Sequence, residues 1–252
     1  MLFRSLSGTA HAVAPIQTGS GAVTGVNFGF SFDLVTNNND SGQGSLRQYI
    51  ANANEIISVN IGMAQVGLTP NIDNAVFMIG NGTSGNGLRA AYNYFSSGVT
   101  TINLQSALPS MLGNVLDARR QPGWSGSPVV VLNGTSAGAG ANGLYSTGTA
   151  TLAGFTVQNF NGSGIYLTGG DNVVAGNWLG LNSAGTAAAG NGSYGVVVAS
   201  GAGNSNDRIG GTTTADLNVI AGNFSAGVGL GGTGTAVQGN YIGTNAEIGR
   251  AH

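Results

Sequence analysis

Two short signatures alternate along the second half of the chain, and their spacing constrains the fold more than any other feature. An Asn-aromatic dipeptide occurs at Asn159-Phe160, Asn177-Trp178, Asn223-Phe224 and Asn240-Tyr241, so two short steps flank one long one. Each follows a short run of small and aliphatic residues, at 155–158, 173–176, 219–222 and 236–239. Between these runs stands Gly, aliphatic, any residue, aliphatic, at 164–167, 195–198 and 227–230. Trp178-Leu179-Gly180-Leu181-Asn182 and Tyr241-Ile242-Gly243-Thr244-Asn245 also match, about three turns of such a repeat apart.

Units this short cannot be sandwich hairpins, which show two-residue turns and evenly spaced strands. Helical repeats are longer, and no 3.6-residue period is present. A strand–turn–strand–turn unit of this length predicts an all-β chain, a β-solenoid whose successive turns stack in parallel register about 4.8 Å apart. About 22 residues per turn would give about ten turns. Gly and Asn belong at the corners of such a fold, because both tolerate the left-handed backbone conformation. Gly supplies 46 of the 252 residues.

Charged residues make up only 6 % of the chain and hydrophobic ones 41 %, with a mean hydropathy of +0.15. That excludes a disordered tail, and five Pro without a three-residue Gly period exclude collagen. A net charge of −2 with no Lys builds no positive stripe, so nucleic acid is not an expected partner. Cys is absent, and His11 and His252 are the only histidines, which leaves no thiolate or histidine metal site and no expected cofactor. No apolar run is long enough for membrane insertion as a helix.

Ahead of the repeats, Leu34-Val35-Thr36 reads as a short strand and 37–42 as a turn cluster. Ser45 with Gln48 makes a capping box, and Leu46, Ile50 and Ala53 fall on one face of the helix it starts. Such a helix would cover the open core and the unpaired edge of the first turn.

The run Val35-Thr36-Asn37-Asn38-Asn39-Asp40-Ser41-Gly42-Gln43-Gly44-Ser45-Leu46-Arg47-Gln48, followed by Ile50-Ala51-Asn52-Ala53-Asn54, resembles the opening signature of a family of bacterial secreted and cell-surface proteins. Gln121-Pro122-Gly123-Trp124-Ser125-Gly126, ahead of 128–134, resembles the family's next landmark. The resemblance spans 34–245 and implies a right-handed parallel β-helix with pectate-lyase-like stacking. Ala118-Arg119-Arg120 departs from it, where small polar residues are expected. The expected organisation is therefore a parallel β-helix over 34–246. Residues 6–33 would be the remnant of a β-sandwich-type module, given the alternation in 25–32. Residues 1–5 and 247–252 resemble translated sequencing-adapter ends, so the chain is expected to be a metagenomic fragment.

Two function classes follow. The favoured one is a non-catalytic structural and adhesive module, extracellular or on the bacterial cell surface, binding polysaccharide or a cell-surface glycan. Trp124, Trp178 and Tyr241 are its candidate ligand-binding residues, because a row of outward aromatics makes a platform for sugar rings. The alternative is a polysaccharide lyase, a glycoside hydrolase or a degenerate relative. Hydrolysis needs two facing carboxylates and lyase chemistry a base beside several acids. Asp117 with Arg119 and Arg120, Asp207 with Arg208, and Asp171 approaching Asp207 from an adjacent turn are the candidates. Insertions at 182–191 and 201–216 should project as loops. A chain cut at its C-terminal end would also self-associate through the open strand edges.

Overall fold

The computed structural model describes residues 33–59, 72–85, 88–201 and 203–244. The chain divides into two units, Met1–Ser31 and Phe32–His252, and every described residue belongs to the second. The expected module remnant, apart from Asp33, and both adapter-like ends lie outside the described residues.

Ser45 starts the helix that the capping pattern predicts. Its hydroxyl accepts from the Gln48 N–H at 3.2 Å, and helix α1 runs Leu46–Val59. Gln48 does not reach back as a capping box would; its amide donates to Asn52 instead. Leu46, Tyr49, Ile50 and Ala53 are at most 1 % exposed and join the core beside Val35 and Phe77. Arg47 ties the helix down, bonding Asp40 and the Ser106 and Ala107 carbonyls.

The strands form three sheets. Sheet I runs β1 (Leu34–Val35), β2 (Asp73–Phe77), β5 (Asn114–Asp117), β8 (Thr151–Ala153), β11 (Val173–Ala175), β14 (Arg208–Gly210), β17 (Ala236–Gln238). Sheet II runs β7 (Leu144–Ser146), β10 (Ile165–Leu167), β13 (Tyr194–Val198), β16 (Ala226–Leu230). Sheet III runs β3 (Phe95–Ser96), β4 (Val99–Asn103), β6 (Val130–Asn133), β9 (Phe155–Gln158), β12 (Trp178–Leu179), β15 (Val219–Ile220), β18 (Tyr241–Ile242). Every pairing is parallel except β3 with β4, a hairpin turned at Ser97 and Gly98. From β7 onward the chain visits sheets II, I and III in unbroken rotation.

Register makes the core a set of aliphatic rows. Leu116, Leu152, Val174 and Ile209 align in sheet I, Ile102, Leu132, Val157, Leu179 and Ile220 in sheet III, and all are fully buried. Each contributes about 1.5–3 kcal/mol by leaving water. In sheet II the row is Leu144, Ile165, Val196 and Val228. The step from Leu144 to Ile165 is much shorter than the two that follow it, so the rotations are unequal in length. The average of about 22 residues per turn expected from the sequence is therefore too short, and among the described residues sheet I holds seven strands rather than ten. The insertion at 182–191 is a hairpin braced by Asn182, whose side chain accepts from Thr186 and Ala187 N–H groups. The segment 201–216 is not one loop: it contains β14.

Candidate functional site

At all three corners between sheets, Asn side chains bond one rotation to the next. Between sheets I and III, Asn177 Oδ1 accepts the Phe155 N–H at 3.0 Å, and the Asn177 N–H and Nδ2 both donate to Asn218 Oδ1 at 2.9 and 3.1 Å. Asn218 repeats this against Asn240 Oδ1, and its second amide proton goes to the Val174 carbonyl at 2.9 Å. Between sheets III and II, Asn191 donates likewise to Asn223. Between sheets II and I, Asn172 donates to Asp207 Oδ1 at 2.9 and 2.8 Å. Asn172, Asn177 and Asn218 have no exposed surface, so these bonds replace every contact with water.

This geometry separates the four Asn-aromatic dipeptides into two kinds. Asn177-Trp178 and Asn240-Tyr241 enter sheet III, while Asn159-Phe160 and Asn223-Phe224 leave it. Trp178, Val219 and Tyr241 form one row, so the match between the Trp178 and Tyr241 segments spans two rotations, not three. Phe160 is 1 % exposed in the core and Phe224 is 86 % exposed, so no continuous aromatic row exists. Trp178 is buried on the outer side of sheet III beneath Leu181 of the hairpin, with Tyr241 half-buried beside it. Trp124 packs against the core, with its Nε1 buried and lacking a partner. The Gln121 side chain beside it imitates a strand, accepting the Ile79 N–H at 2.8 Å and donating to the Ile79 carbonyl at 2.9 Å.

Aromatic side chains do line the outer face of sheet II. Tyr145 of β7 is paired with Tyr166 of β10, their ring centroids 5.3 Å apart and edge-on at 69°. Val197 and Gly229 continue the row, and a Cβ on Gly229 would lie 2.9 Å from the Tyr194 ring, which covers that strand. At the corner where the chain enters sheet II, an open cleft of about 650 Å³ is lined by Thr135, Ser136, Asn159 and Asn161. Sequence reasoning misses these residues because the signature's free position looks uninformative. Tyr166 occupies it, and Gly143-Leu144-Tyr145-Ser146 is a further copy disguised by Ser146.

The predicted acids serve separate roles. Asp117 is gripped by Arg119, whose Nε and Nη2 donate to its two oxygens at 2.8 and 3.0 Å. Arg119 Nη1 reaches Asp216 at 3.1 Å and the Ala215 carbonyl at 3.2 Å. The bond to Asp117 raises the guanidinium pKa above its ordinary value, against the opposing effect of burial. A Cβ at Gly154 would lie 2.6 Å from Arg119 Cγ, so only Gly admits the side chain across that strand end. Arg120 is exposed. Arg208 turns to the Gly210 carbonyl and toward Asp216, not Asp207. Asp207 is 1 % exposed, with its Oδ2 buried and unpartnered, and its neighbour across the corner is Asn172. Asp171, exposed at φ 57°, bonds through its N–H to Ser205 O, so the two acids are not brought together.

One carboxylate pair has no counterpart among the predicted sites. Asp33 and Asp73 lie close enough at the helix-capped end of sheet I for the charge of one to act on the other. Burial first, then the neighbouring Asp33 carboxylate, push Asp73 up to about 6. The long stretch of chain between them hides the pair in the sequence. Burial first, then both carboxylates, also raise the pKa of Tyr49. Among the described residues, no three or more His, Cys, Asp or Glu side chains converge on a metal position. No helix there is long and apolar enough to cross a membrane. Comparison with known protein families, curated proteins and solved structures found no match.

Proposed function

We propose that the three sheets are the faces of one right-handed parallel β-helix, acting as a non-catalytic structural and adhesive module of a large secreted or cell-surface bacterial protein. The strict rotation through sheets II, I and III and the Asn bonds at each corner support a stiff stack of turns. The handedness rests on the family resemblance. The observation that carries the adhesive role is the outer face of sheet II, where Tyr145 and Tyr166 pack edge-on and Tyr194 covers β16, with a neutral cleft at the corner where the chain enters that sheet. Apolar rings stack on sugar faces, and uncharged donors and acceptors serve hydroxyls. A glycan is therefore the partner this face fits.

Retention of the purified chain on a panel of acidic and neutral polysaccharides, with products assayed in the same samples, tests the proposal. We expect retention without new reducing ends or unsaturated uronates, and at least a tenfold loss of retention in the Y145A/Y166A variant. Equal retention of that variant contradicts the adhesive face. Cleavage favours the enzyme reading, for which the Asp117–Arg119–Asp216 cluster supplies acid beside Arg.

β16, β17 and β18 are the outer strands of their sheets among the described residues, with Leu230, Val237 and Ile242 exposed. Unpaired strand edges of this kind recruit further strands. Self-association through them belongs to the same proposal, and sedimentation at several concentrations reads it.

A further inference from the structure

We propose that the glycan held by this module is uncharged, and that Asn159 and Asn161, at the corner from sheet III into sheet II, read its hydroxyls. Given the adhesive reading, on which this rests, the distribution of charge decides between neutral and acidic polymers. No strand of sheets II and III contains Asp, Glu, Lys or Arg; the charged strand residues Asp73, Asp117 and Arg208 all belong to sheet I. Between Arg120 and Asp207 the chain carries one charged residue, Asp171, and it lies past β10 on the way to sheet I. The cleft has no charged side chain in its lining. A polyuronate carries a carboxylate on every sugar. Seating it here would strip water from those charges with no Arg or Lys to replace it, on a chain whose own net charge is −2. An uncharged polymer meets neither cost, and its hydroxyls both donate and accept, as amides and hydroxyls require.

Successive passes of the chain line the cleft, Thr135 and Ser136 after β6, then Asn159 and Asn161 after β9. Each amide is held by one of its two ends. Asn161 Oδ1 accepts the Gly140 N–H at 2.7 Å, which leaves Nδ2 as a donor; Asn159 Nδ2 donates to Asn133 Oδ1 at 3.1 Å, which leaves Oδ1 as an acceptor. Asn159 is fixed further by its left-handed backbone at φ 60° and by its N–H, which donates to the Ala189 carbonyl at 3.1 Å. Neither free end is a buried atom. One hydroxyl of the glycan therefore accepts from Asn161 Nδ2 and another donates to Asn159 Oδ1, with little ordering left to be done on binding.

Biolayer interferometry tests this with the full chain on immobilised soluble β-glucan, α-glucan and galactomannan, each beside the same polymer oxidised at C6 to its uronate. Binding to at least one neutral polymer is expected, with affinity for its oxidised form about tenfold lower. That affinity should change less than about twofold between about 0.05 and 1 M NaCl, since no screened charge takes part. N161D keeps the acceptor for Gly140 and removes the donor, so its affinity for the neutral polymer should fall about tenfold at unchanged Tm. An oxidised polymer bound as tightly as its neutral parent, or a tenfold weakening in salt, overturns the proposal and leaves the adhesive reading standing. Absence of binding to every polymer in both forms overturns the two together. N161D binding like the parent chain removes Asn161 from the site. If N161D lowers the Tm, the polymer pairs and the salt series on the unaltered chain still decide whether the glycan is uncharged.

Discussion

Asp207 stands where the corner bonds call for an amide. In Asn172, Asn177, Asn191 and Asn218 the side chain accepts from one rotation and donates to its neighbours, whereas the buried Asp207 only accepts. The preceding corner reads Asp171-Asn172, with Asp171 left-handed at 57° and outward; here the order is reversed, with Asn206 left-handed at 59° and Asp207 inward. Asp207→Asn should supply the missing donor and raise stability by about 1–3 kcal/mol, seen as a higher Tm. An unchanged or lower Tm would mean that Oδ2 does not carry that cost. At this scale the sequence is half legible. The Asn-aromatic dipeptide marks three of the bonding Asn residues, Asn177, Asn223 and Asn240, yet its aromatic partner is the more conspicuous half. Asn172, Asn191 and Asn218 carry no aromatic after them, and only the pairing of turns reveals them.

Short strands are legible where inward apolar residues alternate with other residues between turns, as with Phe155 and Val157 at 155–158 and Ile165 and Leu167 at 165–167. Connections are less so, since a strand as short as β14, Arg208–Gly210, is indistinguishable from loop until a neighbour pairs with it. The departure at Ala118-Arg119-Arg120 now has a physical role. Arg119 follows β5, lies across Gly154 at the end of β8, and bonds Asp216 in the connection after β14, fastening sheet I along its corner. Side chains in this cluster are only 15–22 % exposed, so the bonds are shielded from competing water. Arg119→Ala should lower stability by about 2 kcal/mol in urea denaturation, and Arg119→Lys should recover less than half, because an ammonium cannot bridge both acids. A change in Arg119→Ala within about 0.5 kcal/mol would show the cluster to be an ordinary surface pair.

Across the whole described fold, stiffness comes from neutral groups. The chain has only 6 % charged residues and no Cys, so beyond the Arg119 cluster the rotations are held together by neutral groups. Rows of aliphatics fill the interior, and rows of amides close the corners around them. The all-β, parallel pairing is legible from alternating signatures, but the number of strands per sheet is not, because Asn182–Asn191 and the residues flanking β14 lengthen individual connections without changing register. Stacked Asn amides underlie the proposed shaft, and their own protons test it. In a ¹⁵N-resolved NMR exchange experiment in D₂O, the Nδ2 protons of Asn177 and Asn218 should persist at least a hundredfold longer than those of the exposed Asn39, and no longer than the core backbone amides beside them. Exchange of Asn177 and Asn218 as fast as Asn39 would contradict bonding between turns through these side chains.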